Sequence, residues 1–242
     1  KKIKIIHDCA QSIGASYLGK KTGVLADFAC YSFHAQKNIT TLGEGGAIYV
    51  KNNRLAGAVK GLRHNGHRPY STKRKHYWKP AMGNLELDIK DVWPHKFTLS
   101  EIQCATGYLL LKRLDKLNKI RIRRAKKIIK ELHGEIFKFN TDNENNRHVY
   151  HLLTAWVRPS KKISRDKIIR MLYKKYNIQS IVQYYPLYKY PLFKKMNLGK
   201  ANCPNTELFY KNMISFPFHV WLNENQIKYM VSSIKKCVKS LS

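Results

Sequence analysis

The stretch Tyr31-Ser32-Phe33-His34-Ala35-Gln36-Lys37-Asn38 closes an apolar run that starts at Phe28 and leads through Gly43-Glu44-Gly45-Gly46 to a second run, Ala47 to Val50. Short β-rich runs bounded by turn residues predict strands over 28–33 and 47–50. Upstream, Lys2 to Ile6 is apolar and β-branched and runs into His7-Asp8. That pattern predicts a buried parallel strand. Asp8 then stands at its carboxyl end, where open α/β sheets hold their ligands. Three short strands so close together suggest the edge of a larger sheet in an α/β fold.

Downstream, Pro69, Pro80, Gly83 and Lys73-Arg74-Lys75 interrupt any pattern from Asn65 to Trp93, which reads as a long loop. Ser100-Glu101-Ile102-Gln103 has the form of a capping box. The helix it opens carries Ile102, Ala105, Leu109, Leu110, Leu114 and Leu117 at helical spacing and is expected to run, bent near Asn118, as far as Gly134. After the polar stretch Thr141 to Arg147, Val149 to Val157 reads as a strand. Ser164 caps a helix through Tyr176 that ends at Asn177, Ile178 to Tyr185 reads as another strand, and Asn223 caps a last amphipathic helix carrying Ile227, Met230, Val231 and Ile234. This half reads as a small α+β unit, with no repeat and no low-complexity linker.

At 242 residues and 43% hydrophobic, the chain can bury a real core. No run approaches the roughly 20 apolar residues of a membrane span, and the start of the chain lacks a signal peptide's apolar region. A soluble, cytoplasmic protein is expected. Cys9, Cys30, Cys104, Cys203 and Cys237 form no CxxC pair, so they are read as reduced and mainly structural, and no metal site is expected. The net charge of +31 would suit a polyanion. Its lysines are spread through the helices, however, as on a solvated surface, so nucleic-acid binding is not the expectation.

Taken alone, Asp8 could be a helix cap or a buried ion-pair partner. Its neighbours change the balance. Asp8-Cys9-Ala10-Gln11-Ser12-Ile13-Gly14-Ala15, then Tyr31 to Asn38, then Gly43 to Gly46, resemble in order and spacing the central motifs of the DegT and StrS family of sugar aminotransferases. The likeness continues through Gly61-Leu62-Arg63-His64-Asn65-Gly66, through Phe97 to Gly107, and through His151, Tyr184-Tyr185-Pro186-Leu187 and Ser215-Phe216-Pro217. It covers essentially the whole chain.

The resemblance implies an aspartate-aminotransferase-like fold (fold type I), with the C-terminal part of a large α/β domain over 1–117 and a linking helix with a small α+β domain over 118–242. It implies pyridoxal 5'-phosphate (PLP), carried by Lys37 as a Schiff base. A lysine amine can both tether an aldehyde cofactor and move protons beside it. Asp8 would face the pyridine nitrogen and keep it protonated, and Gln11 would face the ring, although it also fits a polar turn. Ser32 matches the family's phosphate-binding serine, and Asn38 would hold the lysine loop. His34 could contact phosphate or substrate, or could simply be packed. Gly43, Gly45 and Gly46 are expected to allow positive φ or close packing behind the lysine, since no GxGxxG or Walker pattern is present.

The expected reaction moves an amino group from glutamate or another donor to a ketone of a nucleotide-linked sugar, in a homodimer that shares each active site. Complete family members begin roughly 100 to 150 residues before the Asp8 position, so a fragment with exposed sheet edge and apolar surface is expected. Pro94-His95-Lys96-Phe97-Thr98 replaces the family's arginine-bearing run, with Lys96 as a point charge for phosphate. Gln183 and Tyr188 stand where many members have histidines, which makes Tyr184 and Tyr188 substrate candidates. The rival readings are a sugar dehydratase, which Lys37 disfavours, a non-catalytic regulatory relative, and a basic nucleic-acid-binding protein.

Overall fold

The structure is a computed structural model and describes residues 3–67, 78, 92–140 and 143–241. Most of the expected loop from Asn65 to Trp93 therefore lies outside the described residues. The chain divides into two compact units, the described residues of Lys1–Asp115 with Asn145–Arg147, and those of Lys116–Glu144 with His148–Ser242.

The first unit holds β1 (Ile6–Asp8), β2 (Ser16–Tyr17), β3 (Lys20–Lys21), β4 (Phe28–Ser32), β5 (Gly46–Val50), α1 (Asn53–Leu62) and α2 (Glu101–Lys112). Its main sheet has the order β1-β4-β5, with β1 parallel to β4 and β5 antiparallel to it. The expected strands over 28–33 and 47–50 are thus present. The expected buried strand over Lys2 to Ile6 is corrected in both place and burial. β1 starts at Ile6, and Ile3, Ile5 and Ile6 are 78%, 56% and 70% exposed. It is an end strand of the sheet, and no described element covers these isoleucines. Asp27 ties the segment down by accepting from the Ile5 backbone N–H at 3.0 Å and pairing with Lys4 at 3.0 Å. These bonds hold its carboxyl below the usual range.

Ser100 caps α2 as expected, accepting from the Gln103 N–H while Gln103 Oε1 accepts from the Ser100 N–H at 3.0 Å. The expected bend near Asn118 falls instead at Arg113. That residue caps α2 at φ −95 and ψ −1, still in the right-handed region, and its N–H bonds the Leu110 carbonyl at 3.1 Å. A new helix, α3 (Leu114–Leu132), follows, with Asn118 buried inside it.

The second unit contains most of α3, β6 (Phe137–Phe139), β8 (Leu153–Val157), α4 (Arg165–Tyr176), α5 (Pro191–Lys195), α6 (Pro204–Asn212), β9 (Met213–Phe216) and α7 (Glu224–Leu241). The remaining strand, β7 (Asn146–Arg147), pairs with β2 in the first unit. The antiparallel sheet β6-β8-β9 joins α3, α4 and α7 around one core that includes Ile128, Leu153, Val157, Ile168, Leu172 and Ile234. Each such side chain contributes about 1.5–3 kcal/mol on leaving water. Buried among them, Arg121 donates to the Tyr150 carbonyl at 2.6 Å and to the His151 carbonyl at 2.9 Å, and burial brings its pKa down to about 10.

Ser164 and Asn177 bound α4 as expected, with Asn177 left-handed at φ +52. The expected strand over Ile178 to Tyr185 is corrected. Only Ile181 bridges, to Ser215 of β9, and the rest of the run makes no ladder. Conversely, β9, in a stretch between Tyr185 and Asn223 for which the sequence predicts no element, is a strand buried along its whole length. Among the described residues, no helix is long and apolar enough to cross a membrane.

Candidate active site

Parallel pairing of β1 with β4 sets Asp8 opposite Cys30, two residues before Ser32 ends β4. Asp8, Gln11, Ser32 and the loop that carries Lys37 therefore all leave the carboxyl ends of one parallel strand pair. The exposed Asp8 carboxylate accepts from the Ala10 N–H at 2.9 Å and has no ion-pair partner among the described residues. Beyond it lies the exposed Gln11, and the Ser12 hydroxyl is buried.

After Ser32 the chain folds back on itself. The Ser32 hydroxyl accepts from the His34 N–H at 3.3 Å, and the His34 carbonyl accepts from the Lys37 N–H at 2.9 Å. His34 Nδ1 accepts from the Gln36 N–H at 3.2 Å. In the neutral ring the proton is then on Nε2, which lies 3.5 Å from Glu44 Oε1. Lys37 is half-buried, and among the described residues its amine has no ion-pair partner. Asn38, also half-buried, follows it.

The return limb crosses the outgoing one. Phe33 donates to the Gly45 carbonyl at 2.7 Å, Ala35 donates to the Gly43 carbonyl at 2.7 Å, and Thr41 donates to the Phe33 carbonyl at 2.9 Å. The expected role of the glycines is met. Gly43 has φ +142, and a Cβ at Gly46 would lie 2.7 Å from the Tyr31 carbonyl oxygen.

Two residues outside the expected site set brace this loop. Thr41, 1% exposed, donates its hydroxyl to the Glu44 carbonyl at 3.1 Å. Gln103 donates Nε2–H to the same carbonyl at 3.0 Å. The sequence did signal Gln103, but only as a cap, and no local pattern reports a contact across 59 residues.

Lys96 sits apart from this group. It is exposed and bridges His64 beyond α1, and no hydrogen bond or ion pair joins it to Asp8, Ser32 or the Lys37 loop among the described residues. Beside it, burial and the nearby His67 lower the pKa of His64. In the second unit Tyr184 is exposed, while Tyr188 donates its hydroxyl to Glu207 at 2.9 Å. Burial, together with that carboxylate, pushes the Tyr188 phenol up to about 12. Glu207 also pairs with Lys189.

Of the five cysteines, Cys9 and Cys237 are buried, whereas Cys30 and Cys104 are exposed, so the reading of the thiols as mainly structural holds for only part of the set. All five are free. Among the described residues, no group of three or more His, Cys, Asp and Glu is placed to hold a metal.

Residues 1–235 match the family model described as the DegT/DnrJ/EryC1/StrS aminotransferase family. Over 237 residues the chain is 32% identical to an uncharacterized protein of Methanocaldococcus jannaschii, covering 97% of this chain and 60% of that one. It is 30% identical to the UDP-4-amino-4,6-dideoxy-N-acetyl-beta-L-altrosamine transaminase of Campylobacter jejuni, covering 96% and 58%. A Streptococcus pneumoniae structure described as a sugar aminotransferase in its PLP form superposes with a TM-score of 0.82 at 26% identity, covering 99% and 59%. The chain thus spans about three fifths of the length of these relatives.

Proposed function

Because this chain belongs to the DegT/DnrJ/EryC1/StrS aminotransferase family, we propose that it is the part of a PLP-dependent sugar aminotransferase that carries the cofactor lysine, Lys37, and that the enzyme aminates a ketone of a nucleotide-linked sugar. One observation carries the reading. A carboxylate, Asp8, and an amine on the Lys37 loop, neither with an ion-pair partner among the described residues, leave the same end of one parallel strand pair as a hydroxyl, Ser32. This donor set suits the cofactor, which needs an anion at its ring nitrogen, donors at its phosphate and a primary amine for its aldehyde.

When bound, the cofactor supplies an electron sink for the bond broken beside the transferred nitrogen. The chain's own residues do the rest. Lys37 is the covalent anchor and, once released, the base that moves the proton at the reacting carbon. Asp8 holds the ring-nitrogen proton. Ser32 donates to phosphate, and Gln11 and Asn38 border ring and loop. Lys96 is a phosphate cation, and His34, Tyr184 and Tyr188 face substrate. Residues 1–117 form the cofactor part and 118–242 the small domain. Glutamate as donor, a homodimeric assembly and a cytoplasmic setting belong to the same proposal.

The test is a visible spectrum of the purified chain with PLP, before and after borohydride, for the wild type and Lys37→Ala. A reducible band and a mass addition on the Lys37 peptide, both lost in Lys37→Ala, are expected. Their absence from the wild type refutes the proposal for this chain.

A further inference from the structure

We propose that Gln103 and Thr41 are positioning residues for Lys37, acting together through the backbone carbonyl of Glu44; the inference rests on Lys37 being the cofactor lysine. That carbonyl accepts two bonds, from the Thr41 hydroxyl at 3.1 Å and from Gln103 Nε2 at 3.0 Å. Glu44 lies between Gly43 and Gly45, whose own carbonyls accept from Ala35 and Phe33 at 2.7 Å each. Fixing Glu44 therefore fixes the limb on which the outgoing, lysine-bearing limb hangs. His34 Nε2 lies 3.5 Å from the Glu44 side chain.

The geometry of α2 explains why a glutamine performs this role. In a capping box the third helical residue is Glu or Gln, and either offers an oxygen to the cap N–H. Gln103 Oε1 does so, taking the Ser100 N–H at 3.0 Å, and this turns its amide N–H toward Glu44. Glutamate would keep the cap and would have no proton for the carbonyl. One turn along the same face, Gly107 leaves room for the Thr41 methyl, since a Cβ there would lie 2.8 Å from Thr41 Cγ2. Thr41 is thus held between α2 and the loop.

Gln103→Glu is the discriminating variant, because it spares the helix cap and turns the donor to the Glu44 carbonyl into an anionic oxygen facing it. Thr41→Val, nearly isosteric, removes the second donor. Two measurements on the cofactor-free chain are compared with the wild type, namely hydrogen exchange of the Phe33 and Ala35 amides, and the rate at which Lys37 is acetylated, read by peptide mass spectrometry. The expected result is about fivefold faster exchange in each variant, a changed Lys37 labelling rate, and a melting temperature lowered by no more than about 2–4 °C for Gln103→Glu. In PLP-loaded protein, the pH midpoint of the reducible band should shift in both variants. If Gln103→Glu and Thr41→Val exchange, label and titrate like a wild type that forms the band, this inference is overturned and the proposed function stands. If the wild type forms no band, both are overturned.

Discussion

Substituting Gly45 by alanine tests the packing behind the lysine loop most sharply. Its new Cβ would fall on the Thr41 hydroxyl, 3.3 Å from Thr41 Cβ and 3.2 Å from Leu99 Cδ2. Thr41 is 1% exposed, hydrogen-bonded to the Glu44 carbonyl and backed by Gly107, so it has nowhere to move. Overpacking of a well-filled site costs about 1–3 kcal/mol, and Gly45→Ala is expected to lie near the middle of that range, about 2 kcal/mol. Thr41→Ala alone costs about 1–2 kcal/mol for its lost hydroxyl bonds and methyl contact. In the Thr41→Ala background, however, the hydroxyl that the methyl would strike is gone and only the residue-41 Cβ at 3.3 Å and Leu99 Cδ2 at 3.2 Å remain close, so adding the methyl should cost well under the roughly 2 kcal/mol it costs in the wild type. Urea denaturation of the four proteins, with exchange of the Ala35 amide as a local probe, gives the coupling directly. A cycle additive to within about 0.5 kcal/mol would refute the packing argument.

Two other expectations concern groups away from the loop. Lys189, then Tyr188, lowers the Glu207 pKa from its ordinary 4.5. The contribution of this cluster is therefore present above pH 4.5 and is lost as pH falls through the lower folded value. A carboxyl NMR titration should place the Glu207 midpoint below 4.5, and a midpoint at or above it would contradict the cluster. For the thiols, Cys237 is buried and pushed up to about 11, and Cys9 is buried, while Cys30 and Cys104 are exposed. Maleimide labelling of the native chain should modify Cys30 and Cys104 first and reach Cys9 and Cys237 only on unfolding. Modification of Cys237 as fast as Cys30 would show that the core around α7 is not closed.

What the sequence revealed follows the range of the interactions involved. Ser100, Ser164 and Asn223 could be read as caps because each bonds an amide only three residues away. The strands at 28–33 and 47–50 were legible from turn residues on either side. β9 was not, because all four of its residues are buried and no alternation marks its faces. The run Ile178 to Tyr185 misled for the opposite reason. It has strand composition, but its one ladder contact is the Ile181 bridge to Ser215 of β9, more than 30 residues later. At the site, the motif residues were legible one by one, while the bond from Gln103 to Glu44 exists only once α2 has packed against the loop.

Among the described residues nothing pairs with the outer edge of β1, and Ile3, Ile5 and Ile6 beside it are open to solvent, which bears on how the chain behaves in concentrated solution. An unpaired strand edge flanked by apolar side chains is a template on which copies associate. Against that attraction stands the net charge of +31, which keeps like molecules apart. The range of the repulsion shrinks with added salt, from about 30 Å at 0.01 M ionic strength to about 8 Å at 0.15 M, whereas hydrogen bonding along an edge does not weaken. This chain should therefore stay dispersed in dilute buffer and begin to associate as salt is added, the reverse of a protein whose self-association is electrostatic.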